Sequence, residues 1–175
     1  FLRFLIYGCY NGGGRVVVAE MDGKLVSFVA WLPPNKRLTG WRVIRSSHHG
    51  LFTTLRHWGR KGLGSVVSEL GSQAEQSYRK AFTARGRPAS DYLKAWHLCL
   101  AGTEPAYQGR GLISRLIREN IQRAPGLDFT VEAGTPHAAN VYRHVGFETC
   151  EIIYLGQGKV GTDGLPASGE RAKGV

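Results

Sequence analysis

The run Gln108-Gly-Arg-Gly-Leu-Ile113 holds the most readable chemistry in this chain. It follows the apolar stretch Ala95-Trp-His-Leu-Cys-Leu-Ala101 and opens an amphipathic run that begins near Leu112. A buried strand that turns through glycines into a helix aims several backbone N–H groups at one spot, beside the positive end of the helix dipole. Such a spot suits a phosphate or pyrophosphate. Two common phosphate-binding patterns do not fit. The run lacks the third glycine of the dinucleotide fingerprint and the Gly-Lys-Ser/Thr ending of the P-loop. Downstream, Tyr142 falls on the last turn of a second helical run, where a phenol, neutral at pH 7, is able to donate a proton. Glu104, His97 and Glu20 lie on or at the ends of the neighbouring strands and are candidates to accept one.

Pro105-Ala-Tyr-Gln-Gly-Arg-Gly111 resembles motif A of the GNAT superfamily of N-acetyltransferases, whose pattern is Gln/Arg-x-x-Gly-x-Gly/Ala. The segment from Val131 to Glu148, with Tyr142-Arg-His-Val-Gly-Phe147, resembles motif B of the same superfamily. The resemblance implies an α/β fold, a mixed central sheet flanked by helices, and transfer of an acetyl group from acetyl-CoA to an amine. It implies cofactor contacts at Ala101, Thr103, Gln108, Gly109, Arg110, Gly111, Leu112 and Ile113, with the pyrophosphate on the turn. Tyr142 would stand beside the sulfur and protonate the departing thiolate. An attacking amine must be neutral, so a base or a water chain has to take its proton. Glu104, at the end of the central strand where substrate and cofactor would meet, is the base carried forward, with His97 and Glu20 beside it. The plainer readings are a turn residue ahead of Pro105, a core-facing histidine and a hairpin charge. The acceptor pocket would draw on Trp31, the segment 35–94 and Glu104.

Two positions depart from the superfamily's pattern. Ile113 fills a slot that is usually Gly or Ala, and its branched side chain would either crowd the pyrophosphate or turn into the core with Ile117. Ala138 stands where relatives often have an asparagine that bonds the cofactor. Asn140 is two residues on and faces another side of a helix. These departures keep a second reading open, a catalytically impaired acyl-CoA-binding or interaction module.

The elements that must position these groups follow in a coherent order. Arg15 to Glu20 and Lys24 to Trp31 read as strands joined by a hairpin turn at Met21-Asp22-Gly23. Ala95 to Ala101 is the central strand, and Leu112 to Arg123 a helix with apolar residues at 112, 113, 116, 117 and 121. Leu127 to Val131 is a further strand, parallel to the central one. Thr135 caps a helix that starts at Pro136 and runs to His144 before Gly146. Phe147 to Tyr154 reads as a last strand.

The order matches the superfamily from about Arg15 to Leu155. Residues 1–155 therefore form one domain, and the Gly-rich residues 156–175 a disordered tail. Both ends look short beside the superfamily. The chain starts at Phe1 and leaves little room before Arg15 for a first strand and helices, so it reads as a fragment or trimmed product of marginal stability. Between Asn35 and Lys94 lie twelve Lys/Arg against three acids, nearly all of the net charge of +10. This basic helical insertion resembles the one carried by some fungal and puromycin-acetyltransferase-like members. It is either a solvated face or an electrostatic collar for the polyanionic cofactor or an acidic acceptor. Nucleic acid is argued against, because no recognition signature accompanies the charge. His48-His49 lacks partners at metal-ligand spacing.

At 175 residues with 42% apolar residues, the chain has the length and composition of one globular domain. No run approaches the ~18 apolar residues of a membrane span, and no secretory leader pattern opens the chain. Cys9, Cys99 and Cys150 are odd in number and widely spaced, which suggests reduced thiols in a cytoplasmic protein.

Overall fold

The computed structural model describes residues 2–37, 70–162, 165 and 167–174. The expectations for 38–69, including His48-His49 and much of the basic helical insertion, lie outside the described residues. The elements are α1 (Leu2–Asn11), β1 (Arg15–Met21) and β2 (Lys24–Leu32). Helix α2 (70–84) and a 3-10 turn (Ala89–Lys94) lead to β3 (Trp96–Thr103). Then come α3 (Leu112–Arg123), β4 (Phe129–Val131) and α4 (Pro136–His144).

The sheet runs in the order β1-β2-β3-β4. The β1–β2 hairpin closes through Asp22 (φ 52°) and Gly23 (φ 73°), two left-handed residues in succession whose twist matches that of the strands. β3 pairs antiparallel with β2 and parallel with β4, the latter through α3. The fold is therefore a mixed α/β sheet flanked by helices, as expected.

Each face of the sheet carries its own core. On one face α3 sets Leu116 and Ile117 against Val29, Trp31 and Leu98, with Tyr142, Val145 and Phe147 packed around them. On the other, Cys9 of α1 packs with Ala30 and Leu32, and Phe82 of α2 packs with Tyr92 and Ala95. Burying one such aliphatic side chain stabilises the fold by roughly 1.5–3 kcal/mol. Arg15 ties β1 to α3 with a two-pronged pairing on Glu119, at 2.6 and 2.7 Å, and a third bond to Asn120 Oδ1 at 2.8 Å.

Three differences from the sequence reading have local causes. The opening apolar residues form α1, because the sheet offers them a face on which to bury Cys9. Phe147 to Tyr154 forms no strand. Its acids bind α2 and the turn after it instead, Glu151 to Lys80 at 2.9 Å with Ser77 also on Glu151, and Glu148 to Arg85 at 2.6 Å. Residues 156–162 and 167–174 fold on each other through bonds such as Gly158 N–H to Ala172 O at 2.8 Å and Gly174 N–H to Val160 O at 2.9 Å.

Candidate active site

The site is built on the end of β3. Ala30 pairs with Leu100 and Trp31 with Leu98, so Cys99 is an extra residue, a bulge in the central strand. On its other edge β3 pairs with β4 only at Trp96, His97 and Leu98, opposite Phe129, Thr130 and Val131. Beyond that point β3 runs on through Ala101 to Thr103 while β4 has ended. The two strands part at the bulge and leave one edge of β3 unpaired among the described residues.

The turn after β3 lies at the far end of this opening. A single 3-10 turn, Pro105–Tyr107, follows Glu104. Gly109 (φ 74°) and Gly111 (φ 71°) are left-handed, and Gly111 is the N-cap of α3 with no side-chain cap. Glycine takes this conformation at no steric cost, so the backbone reverses direction within two residues. The first amide of this region to find a backbone acceptor is Arg115, which donates to Gly111 O at 3.1 Å. Among the described residues, the amides from Gly109 to Ser114 donate to no backbone carbonyl. They form a cradle of free N–H groups at the positive end of α3. Gln108 folds back to donate to Thr103 O at 3.2 Å, and Thr103 Oγ1 lies 2.8 Å from Ser27 Oγ. Arg110 lies over the Tyr107 ring at 4.9 Å, its charge beside the cradle. Ile113 packs against the α3-side core, so its branched side chain leaves the cradle clear.

Tyr142 is half-buried on α4, its ring 6.0 Å from that of Phe147. Burial raises the pKa of its phenol, and the charge of Glu132 raises it further, so the hydroxyl keeps its proton. Thr135 caps α4 by accepting from Ala138 N–H at 3.1 Å, which fixes the helix that carries Tyr142. Glu104 forms an ion pair with Lys24 at 2.7 Å and stands at the rim of an apolar cleft of about 520 Å³ lined by Ile6, Val16, Leu25 and Phe28. Glu20 is at the hairpin end of β1. Trp31 is fully buried, edge-on to Phe129 at 5.7 Å, and so does not line an acceptor pocket. The irregular pairing at Ala30 and Trp31 turns it into the core.

Four residues that sequence reasoning left out meet His97 at the point where β3 and β4 part. Glu132 directly follows β4. Tyr78 of α2 donates to its Oε1 at 2.7 Å, and His97 Nε2 lies 3.3 Å from its Oε2. Burial pushes the His97 pKa down to about 4, so the ring is neutral at pH 7. Its Nδ1 is 3.2 Å from Thr130 Oγ1, and a carboxylate has no proton to offer at Nε2. The tautomer with Nε2–H donates to Glu132, and its Nδ1 then accepts from the Thr130 hydroxyl, for whose proton Trp96 O competes at 3.4 Å. Arg37 closes the cluster, donating to Tyr92 O at 2.7 Å and Thr130 Oγ1 at 3.2 Å and lying over the stacked Tyr78 and Tyr92 rings.

No protein-family model and no curated protein matches the chain. Among solved structures it is similar to the apo form of a mutant agmatine N-acetyltransferase. The identity is 21%, over 91% of this chain and 69% of that one, with a TM-score of 0.54. The described chain thus has the α/β fold of a known N-acetyltransferase.

Proposed function

We propose that this chain is an N-acetyltransferase that moves an acetyl group from acetyl-CoA to an amine. The observation that carries the reading is the opening between β3 and β4, which leads from the Cys99 bulge to the free amides of Gly109 to Ser114. A pyrophosphate needs such a cradle, and an extended chain of amides such as the pantetheine arm suits an unpaired strand edge. In this reading Gln108 to Ile113 hold the pyrophosphate, and Arg110 adds charge beside it. Ala101 and Thr103 flank the arm. Tyr142 donates to the departing thiolate, and its raised pKa keeps it in the protonated form that the step requires. Glu104 borders the acceptor side, held by Lys24. The name of the similar structure supports an amine as acceptor. Residues 1–155 act as the catalytic domain in the cytoplasm, with 156–175 as an appendage.

Titration calorimetry of the chain with acetyl-CoA tests this directly, beside a Gly111→Trp variant. Micromolar binding that the variant abolishes is the expected result, because an indole cannot be added at a left-handed cap without displacing the cradle. A folded chain that binds no acetyl-CoA would overturn the reading.

A further inference from the structure

We propose that Glu132 holds the ammonium group of the acceptor and takes its proton, with Tyr78 and His97 as its positioning residues. The proposal rests on the acetyl-transfer reading above and names the acceptor-side group that the reading lacks.

Three observations carry it. Glu132 follows the last paired residue of β4, so it stands where the strands part, at the closed end of the proposed cofactor slot. Its two oxygens are fixed from different elements, Oε1 by the Tyr78 hydroxyl of α2 at 2.7 Å and Oε2 by the His97 ring of β3 at 3.3 Å. Its side chain is one third exposed, which leaves it reachable by a ligand and by water.

Among the described residues, the charged and titratable groups around Glu132 are Tyr78 from α2, His97 and Cys99 from β3, Arg37 from the segment after β2, and Tyr142 from α4. None of them neutralises it by contact. Arg37 feels its charge but spends its Nη2 on Tyr92 O and Thr130. His97 is uncharged. Glu132 is thus an anion held by neutral donors, and a cation is the ligand that completes it. Glu104, by contrast, already has Lys24.

The step balances with these groups. The acceptor R–NH3+ gives one proton to the Glu132 carboxylate and becomes R–NH2. Its nitrogen attacks the thioester carbonyl, the C–N bond forms, and the C–S bond breaks. The second nitrogen proton leaves to water. The thiolate takes the Tyr142 proton, which solvent restores, and Glu132 releases its own proton to solvent.

The test compares the wild-type chain with Glu132→Gln and Tyr78→Phe, using butylamine, benzylamine and 2,2,2-trifluoroethylamine as probe acceptors at pH 7.5. Gln keeps the shape of Glu, its oxygen still accepts from Tyr78, and its NH2 donates to His97 Nε2 once the ring takes the Nδ1–H tautomer, so thermal unfolding and acetyl-CoA affinity should stay at wild-type values. The expected result is a fall in kcat/KM of about 10²-fold for butylamine and benzylamine, which are cations at this pH. Trifluoroethylamine, already neutral, should lose far less. Tyr78→Phe should show the same ordering with a smaller loss. An equal loss on all three amines, or none, would overturn the base role. A wild-type chain that binds acetyl-CoA yet acetylates no probe would overturn the acceptor site and leave the cofactor reading standing. Failure to bind acetyl-CoA would remove both.

Discussion

His97 keeps its ring neutral in the folded chain, and that has a cost in acid. The unfolded ring titrates near 6.5 and the folded one near 4. Between those values the unfolded chain binds the extra proton, so stability rises with pH across the window and is lost as pH falls through it. The loss from this one group is at most about 3 kcal/mol. Urea unfolding at pH 7, 6, 5 and 4 should show that limb in the wild-type chain and a flatter one in His97→Gln. Equal slopes would mean that His97 is not the source. At this scale, the Gly-rich turn was legible in the sequence and the Glu132 cluster was not. Gln108 to Ile113 is a local pattern, six successive residues whose chemistry follows from two glycines. Arg37, Tyr78, His97 and Glu132 come from four separate places in the chain. No spacing links them, and only the meeting of α2 with the ends of β3 and β4 brings them together. Ile113 shows the limit within a local pattern. Its side chain had two directions open, and packing beside Ile117 decides between them.

Helix α3 is the element that fixes the cradle. Its apolar stripe buries Ile117 completely against Val29, Trp31 and Leu98. Ile117→Ala should cost roughly 2–5 kcal/mol, read as a lower denaturant midpoint at unchanged slope. The limits of α3 and α4 agree with the sequence reading, because each is set by chemistry within a few residues: Gly111 at one start, Thr135 and Pro136 at the other. Strand limits depend on partners distant in sequence, and there the reading was looser. β3 runs two residues past Ala101, since β2 continues to pair with it as far as Thr103. β4 starts at Phe129, two residues later than Leu127, and pairs only over the three residues that β3 offers before the bulge. Phe147 to Tyr154 has a strand-like pattern of side chains, yet Lys80 on α2 and Arg85 just after it hold its acids. The bulge itself had no sequence signal, since Cys99 sits in an unbroken apolar run.

For the molecule as a whole, the two cores lie on opposite faces of one four-stranded sheet, and the site occupies the line where that sheet is incomplete. No helix among the described residues is long and apolar enough to cross a membrane. A ligand that binds only the folded state adds about 2.7 kcal/mol at a hundred times its Kd, so saturating acetyl-CoA should raise the melting temperature, and an unmoved transition would count against the slot. The unpaired edge of β3 adds a consequence that melting alone would miss. Among the described residues, no carbonyl holds the amides on that edge, even though they belong to the central strand of the sheet. In deuterated buffer the middle of this molecule should therefore exchange unevenly. From Cys99 to Thr103, protons bonded to β2 should persist, while those facing the slot wash out early. A bound cofactor arm would slow only the second set, so its path could be read amide by amide.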